Sequence, residues 1–197
     1  MIFKVFIPLV FSSFLFAACC NCGITKDGVD IPEKLKAKSD EFVISKTGRE
    51  FFEQYIKINI DRTTRINDGY MMVYNFSIPD KDGVEGEIRF SVDSLGNVLK
   101  DKEIVGIPGC ISNSENCDFK ITKDDAASIA EQKGFDKGIK DWDVNFIWDI
   151  ETEKYLWQFR TTLNESKGTG YYRSSGRVML IDPNNGDVIK TEDWRVS

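Results

Sequence analysis

The side chains of this 197-residue sequence that could do chemistry are mainly cysteines and carboxylates, because it contains no histidine. The lack of histidine excludes Ser-His-Asp and Cys-His nucleophile pairs and the HExxH metal motif. It also removes the side chain that ordinarily titrates near neutral pH. Catalysis would have to use carboxylates, lysine, tyrosine or a bound group. We therefore predict a protein that is not an enzyme, with no catalytic residue, no metal site and no cofactor.

Two groups of carboxylates come closest to a site. Glu85 and Glu87 could form a glycosidase pair, but their spacing on a predicted strand favours one solvated face. The run from Asp182 to Asp187 is rich in calcium-binding residue types. Its spacing differs from that of an EF-hand, and no glutamate closes it. We interpret this run as a turn.

The N-terminal segment has the charge order of a secretory signal. Lys4 is followed by an apolar run from Val5 to Ala18. That run is too short for a membrane-spanning helix, which needs about 20 residues. It fits the apolar region of a signal peptide, which predicts export.

The end of this run, Ala17-Ala18-Cys19, resembles the lipobox of bacterial lipoproteins. The resemblance implies that residues 1–18 are removed and that the Cys19 thiol receives diacylglycerol, with acyl chains such as palmitate. Phe16 departs from the family pattern, which usually has leucine at that position. An ordinary secretory signal with incidental cysteines is the alternative.

Several acyl chains would hold the protein stably on a membrane. We expect a location in the cell envelope, on the periplasmic face of a membrane. Residue 20 is cysteine and not aspartate, so the resemblance to known sorting signals favours the outer membrane in a diderm. Residues 19–41 are polar and charged and are predicted to form a tether, with room for a short helix near 33–38.

Two further cysteines, Cys110 and Cys117, enclose a short polar loop of turn-forming residues. Because export favours oxidation, we predict a disulfide here, worth about 2.5 kcal/mol for so short a ring. A metal site at the two thiols is the alternative, although no histidine or second CxxC accompanies them. The state of Cys20 and Cys22 stays open between adventitious bonding and a redox role.

Composition and charge restrict the partners. The chain is 41% hydrophobic and 29% charged, which is ordinary for a globular protein with a buried core. Its net charge of −6 and the lack of a long basic stretch argue against nucleic acid as a partner. We expect a monomer whose partner is an envelope protein or peptide.

Two similar hairpin patterns organise the rest of the sequence. Residues 88–100 and 178–190 each contain an apolar strand, a polar turn and then a Val-aliphatic-Lys strand. In each turn an aspartate side chain can accept backbone N–H groups and a glycine can adopt positive φ. These residues are Asp93 with Gly96 and Asp182 with Gly186.

A helix signal precedes each hairpin. The Thr-Gly-Arg-Glu sequence at 47–50 has capping-box spacing, and an aromatic-rich face follows at 51–56. The Thr-Lys-Asp-Asp sequence at 122–125 repeats the box before an alanine-rich stripe that ends at Gly134. Strand-like segments follow each helix, at 70–76, 84–92, 142–148 and 155–160.

The predicted fold class is α+β, with two tandem units that each lay a helix across an antiparallel sheet. We assign residues 42–106 to the first unit, 107–119 to a disulfide-closed linker and 120–197 to the second unit. The first two segments of the chain are then the signal peptide and the tether.

The second unit resembles a PepSY domain, a family found in propeptides of thermolysin-type proteases and in many envelope proteins. The resemblance rests on Ile-Thr-x-x-x-Ala at 121–126 and on Val-x-Leu-Ile-Asp-x-x-x-Gly-x-Val-Ile at 178–189. The resemblance extends to residues 43–104 only through the internal repeat. Within the second unit, a polar insertion at 164–172 departs from the family pattern. PepSY modules are regarded as non-catalytic, so the resemblance implies binding or restraint of a peptidase.

Tyr171, Tyr172 and Arg173 are the candidate partner-binding residues, because tyrosine and arginine dominate interface hot spots. The four tryptophans all fall in the second unit. We interpret them as core, with a peptide- or glycan-binding platform as the alternative. The sequence thus predicts an envelope lipoprotein that acts as a non-catalytic protein- or peptide-binding module. An immunity-type or cystatin-like inhibitor and a structural envelope component are the alternatives.

Overall fold

The computed structural model describes residues 29–197 and confirms the α+β fold class. This part of the chain contains three α-helices, a short 3-10 helix and eight strands in two antiparallel sheets. The helices are α1 (Glu33–Thr47), α2 (Arg49–Tyr55), α3 (Lys123–Gln132) and the 3-10 helix Ser114–Cys117. The strands are β1 (Ile56–Ile58), β2 (Thr64–Ile66), β3 (Gly69–Ser77), β4 (Glu85–Asp93), β5 (Asp143–Asp149), β6 (Lys154–Gly168), β7 (Tyr171–Ile181) and β8 (Val188–Val196).

The first sheet is built around β3. β4 pairs with one edge of β3 along its whole length, while the short strands β1 and β2 pair with the other edge. Alternate residues of β3 and β4 are apolar and buried under the first two helices. The ring of Phe42 in α1, for example, lies 4.9 Å from that of Phe90 in β4.

Helix α1 is longer than the sequence pattern indicates. Residues 33–41 belong to this helix, so the predicted tether at 19–41 is wrong over this part. Leu35, Ser39 and Val43 lie one turn apart and are buried. Charged residues occupy most of the other positions, and they conceal this narrow buried stripe in the sequence.

The predicted capping box at 47–50 is also wrong. Thr47 is the last residue of α1, and its hydroxyl donates to the Val43 carbonyl at 3.1 Å. Gly48, at φ +83°, ends the helix, and α2 begins at Arg49 with no side-chain cap. Glycine adopts this φ without steric strain. The Thr-Gly-Arg-Glu sequence therefore marks a break between two helices.

The second sheet is a meander in the order β5-β6-β7-β8, with α3 packed on one face. The predicted capping box at the start of α3 is confirmed. The Thr122 hydroxyl accepts the backbone N–H of Asp125, and the Asp125 carboxylate accepts that of Thr122, both at 3.1 Å. These bonds satisfy N–H groups that a helix start would otherwise leave free.

Both predicted Asp-Gly turns form. The Asp93 carboxylate accepts two backbone N–H groups within its own turn, and the Asp182 carboxylate accepts one. After the second turn β8 pairs along β7, so this hairpin is complete. After the first turn the chain makes only isolated bridges to β4, from Val98 to Val92 and from Val105 to Arg89. The first hairpin is therefore much shorter than the repeat predicts.

The two sheets share one aromatic core. Phe76 of β3 contacts Tyr155 of β6, with ring centroids 4.9 Å apart, and stacks on Phe119 of the linker at 6.3 Å. The Tyr155 hydroxyl donates to the carbonyl oxygens of Glu87 at 3.2 Å and Gly106 at 3.0 Å. Burial, followed by the charge of Glu87, raises the pKa of this phenol, which keeps it a donor at neutral pH. One side chain thus joins the second sheet to the first sheet and to the segment just before the linker.

Tyr155→Phe is expected to lower the free energy of unfolding by about 1–2 kcal/mol, because it removes the hydrogen bonds that link the two halves. Urea denaturation followed by circular dichroism measures the change. Tyr70→Phe is the matched control, since Tyr70 is also a buried residue and its hydroxyl makes only a 3.4 Å bond to the Asp30 carbonyl. Equal losses in the two variants would contradict the role given to Tyr155.

Candidate functional site

The exposed surface that contains the predicted partner-binding residues is a β-hairpin, residues 164–174, which we call the arm. β6 and β7 stay paired along it as far as Gly168 and Tyr171, and a two-residue turn closes it. The polar insertion predicted at 164–172 is thus part of two regular strands. A β-bulge at 162–164 marks the point where the arm begins. These strand ends pair through backbone hydrogen bonds although their residues do not alternate between apolar and polar. The sequence pattern therefore does not indicate them as strands.

The arm contains all three predicted binding residues but does not place them on one face. Side chains alternate along β7, so Tyr171 and Arg173 lie on one face and Tyr172 on the other. Tyr171 is 53% exposed and Tyr172 is 41% exposed. The Arg173 guanidinium is 5.9 Å from the Tyr171 ring centre, and the Lys167 ammonium is 5.5 Å from that of Tyr172. Each face therefore combines one tyrosine with one cation.

Glu165 organises the Tyr172 face of the arm. Its carboxylate lies 3.2 Å from the Lys167 ammonium and 3.7 Å from that of Lys140. Hydrogen bonding to Lys167 and then to Tyr172, together with the Lys140 charge, lowers the pKa of Glu165. The carboxylate is therefore ionised at neutral pH and holds the cation and the tyrosine in place.

The Tyr172 face continues onto the outer face of the second sheet. The Arg160 guanidinium lies 3.7 Å from the ring centre of Trp194. The Trp194 indole N–H donates to the Thr161 carbonyl at 2.9 Å, which fixes the ring. Arg160, Trp194 and Tyr172 together line a hollow of about 180 Å³. The surface beside the arm is thus aromatic and cationic as well.

The other tryptophans belong to the packing of the second unit. Trp157 is 1% exposed and lies in the shared core. Trp142 and Trp148 are half-buried, with their rings 5.5 Å and 5.1 Å from aromatic neighbours. These contacts support the core interpretation for three tryptophans, and only Trp194 lies beside the arm.

A second surface lies where the two halves meet. Helix α1, the linker and the turn between β5 and β6 enclose a cleft of about 620 Å³, which we call the junction cleft. Its apolar lining includes Phe42, Ile107 and Trp148. Three lysines also line it, namely Lys46, Lys100 and Lys154. No sequence motif indicates this cleft, because its lining residues come from distant segments.

Cys110 and Cys117 are joined by a disulfide, with their Cα atoms 5.4 Å apart. Within the closed loop, the Ile111 backbone N–H donates to the Lys46 carbonyl near the end of α1 at 3.0 Å. Ser112, also in this loop, lines the junction cleft. The disulfide thus holds one wall of the cleft close to α1.

Two of the carboxylates considered above, Glu87 and Asp182, have structural contacts. Glu87 pairs with Arg62 and Arg89 on the solvent-facing side of the first sheet. Asp182 accepts the Asn184 backbone N–H at 2.8 Å and lies 3.5 Å from the Lys154 ammonium. Within residues 29–197, no three histidine, cysteine or carboxylate side chains converge as a metal site requires.

The predicted lipidation site, Cys19, lies outside the described residues, as do the signal segment 1–18 and the pair Cys20 and Cys22. The structure therefore bears only on the chain that follows them. Among the helices of residues 29–197, none is long and apolar enough to cross a membrane.

No model of a known protein family, no curated protein and no solved structure matches the chain. Functional assignment therefore rests on the arm and the junction cleft. The arm contains the residues that the sequence singles out, whereas the junction cleft is visible only in the fold.

Glu165→Gln is expected to loosen the arm. The neutral amide attracts Lys167 less and holds Tyr172 less firmly, so the backbone amides of residues 165–173 should exchange several-fold faster at pH 7. Hydrogen–deuterium exchange with mass spectrometry measures the rates. Because the pKa of Glu165 is lowered in the folded protein, its contribution to the stability of the arm is fully present above the ordinary glutamate pKa. That contribution is lost as the pH falls through the lowered value.

The control for this experiment is Glu192→Gln. Glu192 pairs with Lys190 at 2.9 Å on β8, outside the arm. This variant should leave exchange in the arm unchanged. Identical exchange in the wild type and in Glu165→Gln at pH 7 would show that Glu165 does not order the arm.

Proposed function

We propose that this protein is a lipid-anchored envelope lipoprotein that binds a protein or peptide partner through the arm and catalyses no reaction. The observation that carries the proposal is the pair of exposed tyrosines, Tyr171 and Tyr172, each beside a cation on a paired strand. Tyrosine and arginine contribute much of the binding energy in many interfaces. The arm presents both residue types outside the shared core.

The arm is suited to binding because strand pairing orders its backbone in advance. Ser166 pairs with Arg173 and Lys167 with Tyr172, next to the turn. The Tyr171 ring also covers Gly168, where a Cβ would lie 2.2 Å from it. A surface that is ordered before association loses less conformational entropy on binding. Such a surface favours a defined partner.

The charge of the arm indicates the partner's chemistry. The arm itself has two cations, Lys167 and Arg173, and one carboxylate, Glu165, which also pairs with Lys140 outside the arm. The arm is thus locally basic in a chain with a net charge of −6. Complementary charge across an interface increases association rate and specificity. We therefore propose a partner that presents carboxylates to the arm.

We also propose that the two halves are tandem PepSY-like units. Each half places helical structure against a four-stranded antiparallel sheet and contains an Asp-Gly turn, which supports a duplication. The strand orders differ, since β3 is central in the first sheet whereas the second sheet is a meander. The PepSY resemblance implies that the partner is a peptidase, which this protein would restrain.

An immunity-type or cystatin-like inhibitor is a second candidate, and the narrow arm favours it because a two-stranded hairpin can enter an enzyme cleft. A structural envelope component is the remaining alternative. The three functions differ in a measurable way. An inhibitor forms a stoichiometric complex and abolishes its target's activity, whereas a structural component has no saturable partner.

Tyr171→Ala/Tyr172→Ala/Arg173→Ala is expected to abolish partner capture, because it removes both aromatic anchors and one cation from the arm. The full lipoprotein would be crosslinked in its native envelope and purified, and mass spectrometry would identify the captured proteins. The proposal predicts one stoichiometric protein that the triple variant loses.

The matched control is Ile60→Ala/Leu95→Ala/Lys102→Ala, which removes two exposed apolar side chains and one cation away from the arm. It should capture the partner as the wild type does. Capture that persists in the arm variant, or the absence of any saturable partner, would contradict the proposal. A captured peptidase that loses activity on adding the purified lipoprotein would favour the inhibitor function.

Cys19→Ser is expected to abolish lipid attachment, because the serine hydroxyl cannot replace the thiolate as acceptor of the diacylglyceryl group. Cells fed tritiated palmitate would label the wild type, and labelling of the immunoprecipitated variant would fall to background. Cys20→Ser is the control and should stay labelled. Palmitate on the Cys19→Ser variant would show that the lipobox assignment is wrong.

A further inference from the structure

The junction cleft has the size and composition of a ligand site. Its volume of about 620 Å³ lies within the range of roughly 300–1,000 Å³ found for small-molecule and peptide pockets. Helix α1, the linker and the β5–β6 turn each contribute to the lining.

The apolar lining of the cleft includes a tryptophan with a free donor. Phe42, Ile107 and Trp148 are half-buried there. The indole N–H groups of the other three tryptophans each donate to a backbone carbonyl, at 2.7–2.9 Å. Within residues 29–197, that of Trp148 has no such acceptor. The cleft thus offers an apolar surface and one unused N–H donor to a ligand.

The charged lining of the cleft is mainly cationic. Lys46, Lys100 and Lys154 line it together with a single carboxylate, Glu153. Lys154 lies 3.5 Å from Asp182, whereas neither Lys46 nor Lys100 forms an ion pair with any group in residues 29–197. Lysines without partners in an acidic protein favour an anionic ligand.

Polar groups on the cleft wall favour a peptide over a simple fatty acid as the ligand. Ser112, Asn116 and Thr152 line the cleft. The Ser112 hydroxyl and the Asn116 amide donate to the Gly109 carbonyl, and each side chain retains an oxygen that can accept a hydrogen bond. A peptide backbone supplies N–H donors for these oxygens. A fatty acid chain would leave them unmatched.

We propose that the junction cleft binds the C-terminal end of a peptide whose last side chain is apolar. The side chain would lie against Phe42, Ile107 and Trp148, and the terminal carboxylate would face Lys46 and Lys100. Carboxylates form strong charge-assisted hydrogen bonds with lysine ammonium groups. This site is separate from the arm, so its occupation does not depend on the function proposed for the arm.

The test uses the full-length lipoprotein in lipid nanodiscs and a fluorescein-labelled pentapeptide that ends in Leu-Phe with a free carboxylate. Fluorescence anisotropy measures its Kd, with empty nanodiscs as the blank. The peptide should bind at least about tenfold more tightly than its C-terminal amide, which lacks the charge. Lys46→Gln/Lys100→Gln should reduce the affinity for the free acid to that for the amide. Trp148→Phe, which keeps an aromatic ring but removes the N–H donor, should weaken binding about fivefold.

Two matched controls separate the cleft from general charge and from the arm. Lys34→Gln/Lys57→Gln removes the same charge from exposed lysines outside the cleft lining and should bind as the wild type does. The arm variant Tyr171→Ala/Tyr172→Ala/Arg173→Ala should also bind the peptide normally. Equal affinity for acid and amide would overturn the proposal, as would unchanged binding in Lys46→Gln/Lys100→Gln. Displacement by octanoate as effective as by unlabelled peptide would assign the cleft to fatty acids instead.

Discussion

The contact between Tyr155 and the first half of the chain is the constraint on which the rest of the structure depends. Its ring packs edge-on against Phe76, and its hydroxyl donates to the carbonyl oxygens of Glu87 in β4 and of Gly106 just before the linker. The close approach requires glycine on both partners, since a Cβ at Gly86 or Gly106 would lie within 2.7 Å of the hydroxyl. A buried polar atom with two partners, enclosed by apolar rings, fixes the relative position of the two sheets.

The length of strand β6 sets the two candidate binding surfaces far apart. Both surfaces include residues of β6, a strand of 15 residues. Lys154, at its start, lines the junction cleft, and Gly168, at its end, lies at the tip of the arm. At about 3.3 Å per residue the strand separates them by roughly 45 Å. One strand therefore supports two surfaces that can be occupied independently.

The sequence predicts this fold best where a few neighbouring residues determine the geometry. The Thr122–Asp125 box and the turns at Asp93 and Asp182 depend on local hydrogen bonds, and all three form. The sequence does not predict where α1 begins, because the buried stripe of this helix has only one small or apolar residue per turn. One of these residues, Ser39, is polar and is not typical of a core. Burial of these residues depends on the sheet against which the helix packs. The local sequence pattern contains no information about that sheet.

The two candidate binding surfaces show the same limit on prediction from sequence. Tyr171, Tyr172 and Arg173 can be chosen from residue type alone, but their division between two faces follows from the pairing of β6 with β7. The junction cleft has no local signal, because Phe42, Lys100 and Trp148 meet only after the two halves pack. Both surfaces include a segment outside the repeated pattern, which is the linker for the cleft and the arm itself for the other surface. In the proposed function, the helices and strands of the two halves would act as a scaffold, and the linker and the arm would carry the specificity.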